Sequence, residues 1–442
     1  MKILWLCNIM IPAIAEEFGL PYSNREGWLT GIYERVYADA KEGKEAQGRE
    51  TEIGICFPME EIPDGIADRC YGRAGFRLRR TGAACYAFRE ALSSPERYEE
   101  GMEERFREIL EDFQPDMVHI FGTEFPHALA MVRAFGRPER TLVGIQGLCF
   151  ACAEAYLADL PPYVVKRRTF RDRVRKDSIL QQQEKFRIRA EREKETLRGV
   201  LHITGRTDFA RTETGKVNPG AKYHFINETM RTPFYKGRWD GAAKGKAPSY
   251  GIFVSQGDYP LKGFHYVLQA LPETLKEYPE AYVMVAGNSV TGNRTWKERL
   301  KLSSYGKYLL ELINDAGLAG HVRVLGKLSA EEMREAFLQA GMFVCPCSLE
   351  NSPNSMGEAM LLGTPVVAAR TGGIPSMICD GREGLLFERG NVKELAACIK
   401  RVWQEPEETA RRAEYARERA FLAHDGDRNY KRLLAIYREI CQ

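Results

Sequence analysis

Short β-branched or apolar runs, each followed by a stretch with helical spacing, recur along this chain in two sets of six, and that recurrence leaves few folds open. The first set is Lys2 to Cys7, Glu52 to Phe57, Asp116 to Phe121, Thr141 to Gln146, Val200 to Thr204 and Lys222 to Ile226. The second is Gly251 to Gln256, Ala281 to Ala286, His321 to Leu325, Met342 to Pro346, Pro365 to Ala369 and Gly384 to Phe387. Strand and helix in alternation build parallel sheets covered by helices, so each set predicts one doubly wound α/β sheet. Between the sets, Arg231 to Tyr250 holds Gly237, Gly241, Gly245, Pro248 and several lysines without an apolar period, as a linker does. The expected organisation is a Rossmann-like domain over 1–230, a linker over 231–249, a second Rossmann-like domain over 250–415, and a C-terminal helix over 416–442 able to cross back onto the first domain. A chain of 442 residues also suits two domains of roughly 200 residues each.

Charge narrows the partners. Sixty-four Lys and Arg against 61 Asp and Glu leave a net charge of +3, which does not favour whole-chain nucleic-acid binding. The run Met1 to Cys7 is too short for a signal peptide and reads as a buried first strand. No stretch approaches the ~18 apolar residues that span a bilayer, so the expected location is cytoplasmic and any membrane contact peripheral. The 11 cysteines, including Cys56, Cys345 and Cys398, lie scattered in apolar runs and read as reduced thiols. The pairs Cys149/Cys152 and Cys345/Cys347 lack a second pair at zinc-site spacing, so no metal site is expected. Lys166 to Lys194 reads as one long basic helix with Phe170, Ile179, Leu180, Phe186 and Ile188 interspersed. Two readings stand for it: contact with an anionic membrane or an acidic acceptor, or a solvated helix docked on the first domain, its charge diluted by Asp172, Asp177, Glu184, Glu191 and Glu193.

Two segments carry chemistry. In Ser348-Leu349-Glu350-Asn351-Ser352-Pro353-Asn354-Ser355-Met356-Gly357-Glu358-Ala359-Met360, two glutamates bracket a polar loop that turns into a helix after a strand. A helix starting near Asn354 or Ser355 offers free N–H groups to an anion at the carboxyl end of the sheet. Glu358 is placed to accept ribose hydroxyls and Glu350 the hydroxyls of a sugar; the competing reading makes Ser355 an N-cap with Glu358 as its capping-box partner. The second segment, Gly251 to Gly263, is a strand, a Gly/Pro turn and a helix start, and it brings Lys262 to the open end of the sheet to meet a pyrophosphate.

These two segments, with Gly363 to Ala368 and Thr371-Gly372-Gly373-Ile374-Pro375 following in order, resemble the second domain of family-four retaining glycosyltransferases of GT-B architecture. The likeness covers residues 250 to 400 strongly and the first domain weakly. It implies GT-B: two Rossmann-like domains facing across a cleft, the first for the acceptor and the second for a nucleotide-sugar donor. It implies that Lys262 neutralises the leaving diphosphate, that Glu350 contacts the donor sugar, that Glu358 binds the ribose, and that Asn351 and the stretch Asn354, Ser355, Met356 and Gly357 contribute donor-binding groups. Gly326 and Lys327, in the turn Val324 to Leu328, match the place where the base is held. The family's arginine six positions before the lysine is here Gln256, so another cation is wanted; Arg206 ranks first and Arg294 second. Ser376 stands where the family often has glutamate.

The segment Asp116 to His127 resembles the strand and loop that bring a histidine to the acceptor side. His119 reads as a core residue, and His127, with Glu124 beside it, as the catalytic candidate. Gly27 stands either for the glycine turn that faces the phosphates or for a simple helix start. The resemblance implies a retaining, metal-independent hexosyltransferase without a cofactor, the nucleotide-sugar being a co-substrate with a UDP-sugar favoured. The acceptor is a saccharide or lipid-linked molecule, in cell-surface polysaccharide synthesis. The alternatives are a nucleotide-sugar epimerase, a phosphorylase, for which no pyridoxal lysine is identifiable, or a degenerate sugar-nucleotide-binding protein.

Overall fold

The computed structural model describes residues 1–20, 27–37, 51–62, 75–79, 81–241, 249–288, 291 and 295–442. These fold as two compact units. One comprises 1–150, 185–229 and 424–442; the other comprises 151–184 and 230–423.

The first unit is built on eight strands: β1 (Lys2–Leu6), β2 (Glu52–Met59), β3 (Phe76–Arg77), β4 (Ala84–Arg89), β5 (Met117–Phe121), β6 (Thr141–Gly144), β7 (His202–Gly205) and β8 (Lys222–Phe225). Their order is β3-β4-β2-β1-β5-β6-β7-β8, every neighbouring pair parallel except β3 with β4. Ile3, Trp5, Ile55, Phe57, Met117 and Phe121 are buried in one core with Leu433, Ile436, Tyr437 and Ile440 of the helix Gly426–Cys441. The Trp5 indole donates to the Tyr437 hydroxyl at 2.9 Å, satisfying the one polar atom of a fully buried ring.

The second unit carries β9 (Gly251–Val254), β10 (Tyr282–Ala286), β11 (Val322–Gly326), β12 (Met342–Cys345), β13 (Val366–Arg370) and β14 (Leu385–Glu388), in the order β11-β10-β9-β12-β13-β14 and parallel throughout. Among the parallel strands of each sheet the order reverses once, between β1 and β5 in the first and between β9 and β12 in the second. At such a reversal the connections leave in opposite directions and open a crevice at the carboxyl ends of the strands.

Two expectations need correction. Among the described residues the first sheet has eight strands, not six: β3 and β4 escape the sequence reading because Phe76–Arg77 is two residues long and Ala84–Arg89 is a short apolar run whose period does not separate strand from helix. The single basic helix expected over 166–194 is two, Phe170–Arg175 and Ile179–Arg198, and Lys166 ends a separate short helix, Pro162–Lys166. Thr169 starts the first of the two by a capping box with Asp172, and Lys176 ends it with a left-handed φ of 50°.

Candidate functional site

The reversal between β9 and β12 gathers the residues of the two sequence segments. After β9 the chain makes a turn and a single 3-10 turn, Pro260–Lys262, and then Gly263 adopts φ 68°. A Cβ on Gly263 would stand 1.9 Å from the Pro346 carbonyl oxygen, so only glycine lets this turn lie against the end of β12. The Ser348 N–H donates to the Leu261 carbonyl at 2.8 Å and locks the two segments together. Lys262 Nζ consequently donates to Glu350 Oε1. Both side chains stay about one-fifth exposed, at 20% and 19%, which leaves the pair reachable from solvent.

The surroundings keep Lys262 charged. Burial pulls the Lys262 ammonium down, but the attraction of the Glu350 carboxylate outweighs it and holds the pKa well above the ordinary lysine value. Cys347 Sγ lies 3.6 Å from Glu350 Oε1 and 3.7 Å from Cys345 Sγ. The hydrogen bond with Cys345, reinforced by burial, pushes the Cys347 thiol far up, so it remains neutral beside the ion pair.

Behind the pair, the Gly-Gly turn after β13 carries the loop. A Cβ on Gly372 would stand 2.0 Å from the Glu350 carbonyl oxygen, Gly373 N–H donates to that oxygen at 2.9 Å, and the Thr371 hydroxyl donates to the Ser348 carbonyl at 2.9 Å. The helix Asn354–Leu362 begins directly after Pro353, which has no side chain to cap it. Ser355 is therefore not an N-cap, and the capping-box reading fails. Met356 is buried in the core, so what it presents at the helix start is backbone. Asn351 is buried, whereas Asn354 and Ser355 are half-buried.

Glu358, one turn in, is 4% exposed and engaged by an arginine the sequence reading had left in the linker. Arg231 donates to Glu358 Oε1 from Nε at 2.9 Å and from Nη2 at 2.6 Å, and its guanidinium lies 4.8 Å from the Phe234 ring centroid. Burial raises the Glu358 pKa and Arg231 offsets part of that rise. Gln256 stands half-buried two residues beyond β9. Gly326 takes φ 78° at the end of edge strand β11, next to the exposed Lys327. Val324 and Leu325 are unusually exposed for strand residues, and Val324 lines a small depression with Gly257, Phe264, Val285 and Asn288. Asp258 shapes this edge: its Oδ2 accepts from Asn288 N and Nδ2 at 3.1 and 2.7 Å.

The remaining expected residues lie in the first unit. His127, the second residue of the helix Pro126–Phe135, is 0% exposed. Its Nδ1 pairs with Glu90 Oε2 at 2.7 Å, its Nε2 with Asn8 Oδ1 at 3.2 Å, and Phe125 stacks on it at 5.5 Å. His119 is a core residue bonded to Tyr437 at 2.7 Å, and burial pulls its pKa down to about 3. Glu124 Oε1 accepts from Gly147 N–H at 2.8 Å, while its buried Oε2 has no hydrogen-bond partner and burial raises its pKa. A Cβ on Gly122, at φ 96°, would stand 2.3 Å from that oxygen. Arg206, expected to serve the phosphates, is buried against Glu228 at 3.0 Å. Gly27 opens the helix Gly27–Val36; Arg25, Glu26 and Arg294 lie outside the described residues. The structure therefore joins Lys262 to Glu350 and sets Asn351, Asn354 to Gly357 and Glu358 in the loop and helix that follow. Arg231, Tyr259, Cys347 and Asp258 are additions no motif announced.

Residues 242–419 match the family model described as glycosyl transferases group 1. The D-inositol 3-phosphate glycosyltransferase of Corynebacterium urealyticum is 29% identical over 183 residues, 41% of each chain. Spore coat protein SA of Bacillus subtilis is 27% identical over 242 residues, 53% of this chain and 61% of that one. This chain thus spans between about two-fifths and three-fifths of the length of these curated relatives. The crystal structure of HepE from Anabaena in complex with UDP superposes with a TM-score of 0.63 at 16% identity, covering 99% of this chain and 100% of that one, which places the fold in the GT-B class. Neither the epimerase nor the degenerate alternative is favoured by these likenesses.

Proposed function

From the premise that residues 242–419 form a group 1 glycosyl transferase domain, we propose that this protein moves a hexose-type sugar from a nucleotide-sugar to a saccharide or lipid-linked acceptor, with retention and without a metal. The observation that carries the reading is the Lys262–Glu350 pair, partly exposed where β9 and β12 diverge and next to a helix start without a side-chain cap. In the free protein each charge satisfies the other. A donor exchanges that contact: its diphosphate takes the ammonium and the helix N–H groups, and its sugar hydroxyls take the carboxylate.

The reaction needs little else from the chain. The bond from the anomeric carbon to the phosphate oxygen breaks, and negative charge grows on the diphosphate, where the Lys262 ammonium stabilises it. The acceptor oxygen bonds the same face of the carbon, and its proton passes to the departing phosphate oxygen. Arg231 holds Glu358 for the ribose, and the apolar depression at Val324 suits a base, with a UDP-sugar the favoured donor. The first unit supplies the acceptor surface. His127, sealed and doubly bonded, enters as a group that positions Asn8 and Glu90. The same reading places the protein in cell-surface polysaccharide synthesis, on the cytoplasmic face of an anionic membrane that it touches peripherally.

The test is nucleoside diphosphate release from UDP-, GDP- and ADP-sugars with and without candidate acceptors. Release that depends on acceptor and disappears in Lys262→Ala supports transfer. Binding of every donor without release, in any acceptor, sinks it.

A further inference from the structure

One stretch from the first half of the sequence belongs to the second unit: residues 151–184 group with 230–423, while the chain up to 150 and from 185 belongs to the first. Early in that stretch Ala158, at φ 50°, and Asp159, at φ 54°, take the left-handed region in succession. Neither has the freedom of glycine, so two such residues in a row persist only where their neighbours hold them. The neighbours are His265 and Tyr266, at the start of the helix Phe264–Leu275, two residues past the Lys262 turn.

His265 Nε2 donates to the Ala158 carbonyl at 2.9 Å. Burial pulls the His265 pKa down to about 4, so the ring is neutral and its Nδ1 accepts from the Tyr305 hydroxyl at 3.1 Å. The Tyr266 hydroxyl lies 2.7 Å from Asp159 Oδ2, 2.8 Å from the Ala158 carbonyl oxygen and 3.2 Å from Ser348 Oγ. Burial, opposed by the bond from Ser348 and helped by the one to Asp159, holds the Tyr266 pKa above the ordinary tyrosine value, so the phenol keeps its proton. It has one proton to give, and carboxylate and carbonyl oxygens only accept. That proton is therefore directed at Asp159 and Ala158, and in the third contact the Ser348 hydroxyl is the donor. Ser348 is buried, so the Tyr266 oxygen is what satisfies its hydroxyl. A Cβ on Gly390, at φ 77°, would stand 2.9 Å from Asp159 Oδ2, so backbone also closes on this carboxylate.

We propose that Asp159, acting through Tyr266 and Ser348, is a positioning residue for Glu350. Residues 346–353 have neither strand nor helix to hold them, and Glu350 comes two positions after Ser348. Ser348 anchors that loop three times: by its N–H to Leu261, by its carbonyl to Thr371, and by its hydroxyl to Tyr266. The third anchor is the one governed from residue 159, outside both motifs of the site. Lys262 sits in its own 3-10 turn, seated by Gly263 against Pro346, and does not depend on that hydroxyl. Loosening the relay therefore misplaces the carboxylate that meets the transferred sugar and spares the ammonium that meets the diphosphate. This inference rests on the donor reading above and identifies what sets one half of it.

Titration calorimetry of the full chain with UDP, GDP and ADP, and with their glucose and mannose derivatives, gives the ratio of sugar-nucleotide to diphosphate affinity for the donor bound best. Tyr266→Phe, which removes only the hydroxyl, is expected to leave diphosphate binding within about twofold and to lower both that ratio and kcat by about tenfold, on the scale that a misplaced group near the reacting atoms costs. Ser348→Ala should match it, and the double variant should lose no more than either single one, because all three remove the same contact. Asp159→Ala should follow them, and Asp159→Asn, which keeps an acceptor oxygen, should recover most of the loss. The proposal is overturned if Tyr266→Phe keeps the parent ratio and kcat, if diphosphate and sugar-nucleotide affinity fall together, if the two losses add in the double variant, or if Asp159→Asn is no better than Asp159→Ala. A parent chain that binds no sugar nucleotide sinks the donor reading and this role with it; a parent that binds one while the variants behave like it sinks the role alone.

Discussion

The two sheets reverse their strand order in the same way, yet the crevices they open are filled differently. Between β9 and β12, Lys262 and Glu350 face each other with 20% and 19% of their side chains in solvent. Between β1 and β5, Asn8, Glu90 and His127 are 4%, 3% and 0% exposed, and each is bonded to another. A pair that keeps a fifth of each side chain in solvent can rehydrate either charge, so a ligand replaces it at lower cost than it would a sealed one. A sealed polar network is expensive to disturb, because removing one member strands the rest without water. Identical wiring therefore gives one reversal suited to receiving a charged ligand and another suited to holding its own geometry.

The sharpest way to break this contrast is to separate activity from stability. Lys262→Ala should lower kcat/KM by about a thousandfold, the scale seen when a charge-stabilising donor is removed from a transition state. Its melting temperature should move little. Steady-state rates with a reacting donor and a thermal scan decide it, and a variant that keeps its rate removes Lys262 from the chemistry. His127→Ala should do the opposite: stripping Glu90 of its partner in a fully buried place is expected to cost about 3 kcal/mol of stability. Denaturant unfolding would show it, and a loss under about 1 kcal/mol would mean that water reaches the first crevice after all.

How much of this was readable beforehand follows the same division. The strands of the second sheet stand out in sequence because each is a compact apolar run between turn residues, and Lys262 with Glu350 follow from motif order. Arg231 was invisible because its partner Glu358 is 127 positions away and nothing in a stretch without period hints at the contact. Arg206 was misjudged for a related reason: its strand end was legible, but Glu228, which occupies its guanidinium, sits beyond the next strand. The basic stretch after Lys166 reads as one helix since its charges continue unbroken, and only the short capping pairs Thr169 with Asp172 and Ser178 with Gln181 mark the restarts. Local signals were legible where the chain meets its own neighbours. Pairings closed by the tertiary fold were not.

A smaller effect probes the sealed region by pH. Glu193 is fully buried, accepting from the Thr123 hydroxyl at 2.6 Å and from Phe150 N–H at 3.0 Å. Burial raises its pKa from 4.5 to about 7, with those bonds opposing. Because the folded state holds the proton more tightly than the unfolded chain, this stability is complete below about pH 4.5 and is lost as pH rises toward 7. The whole swing is about 3 kcal/mol. Glu193→Gln should flatten that part of the stability profile and be the more stable protein at pH 8. Parallel profiles for the two proteins would mean that Glu193 titrates alike in the folded and unfolded chain.

The mildest change sharpens the contrast by adding a charge to the open crevice. Gln256, half-buried just beyond β9, stands where the resemblance to family-four transferases implies a second cation for the diphosphate. Glu228 already occupies Arg206, and Arg231 is bound to Glu358, so neither is idle. Gln256→Arg should lower the KM for the donor by about tenfold at low salt, the return from one added charge-assisted contact, with kcat changed less. Salt should erase most of the gain, since the new guanidinium is partly in solvent. If KM stays unchanged at low ionic strength while Lys262→Ala abolishes turnover, the diphosphate approaches Lys262 from the side of the helix Asn354–Leu362 and never passes position 256.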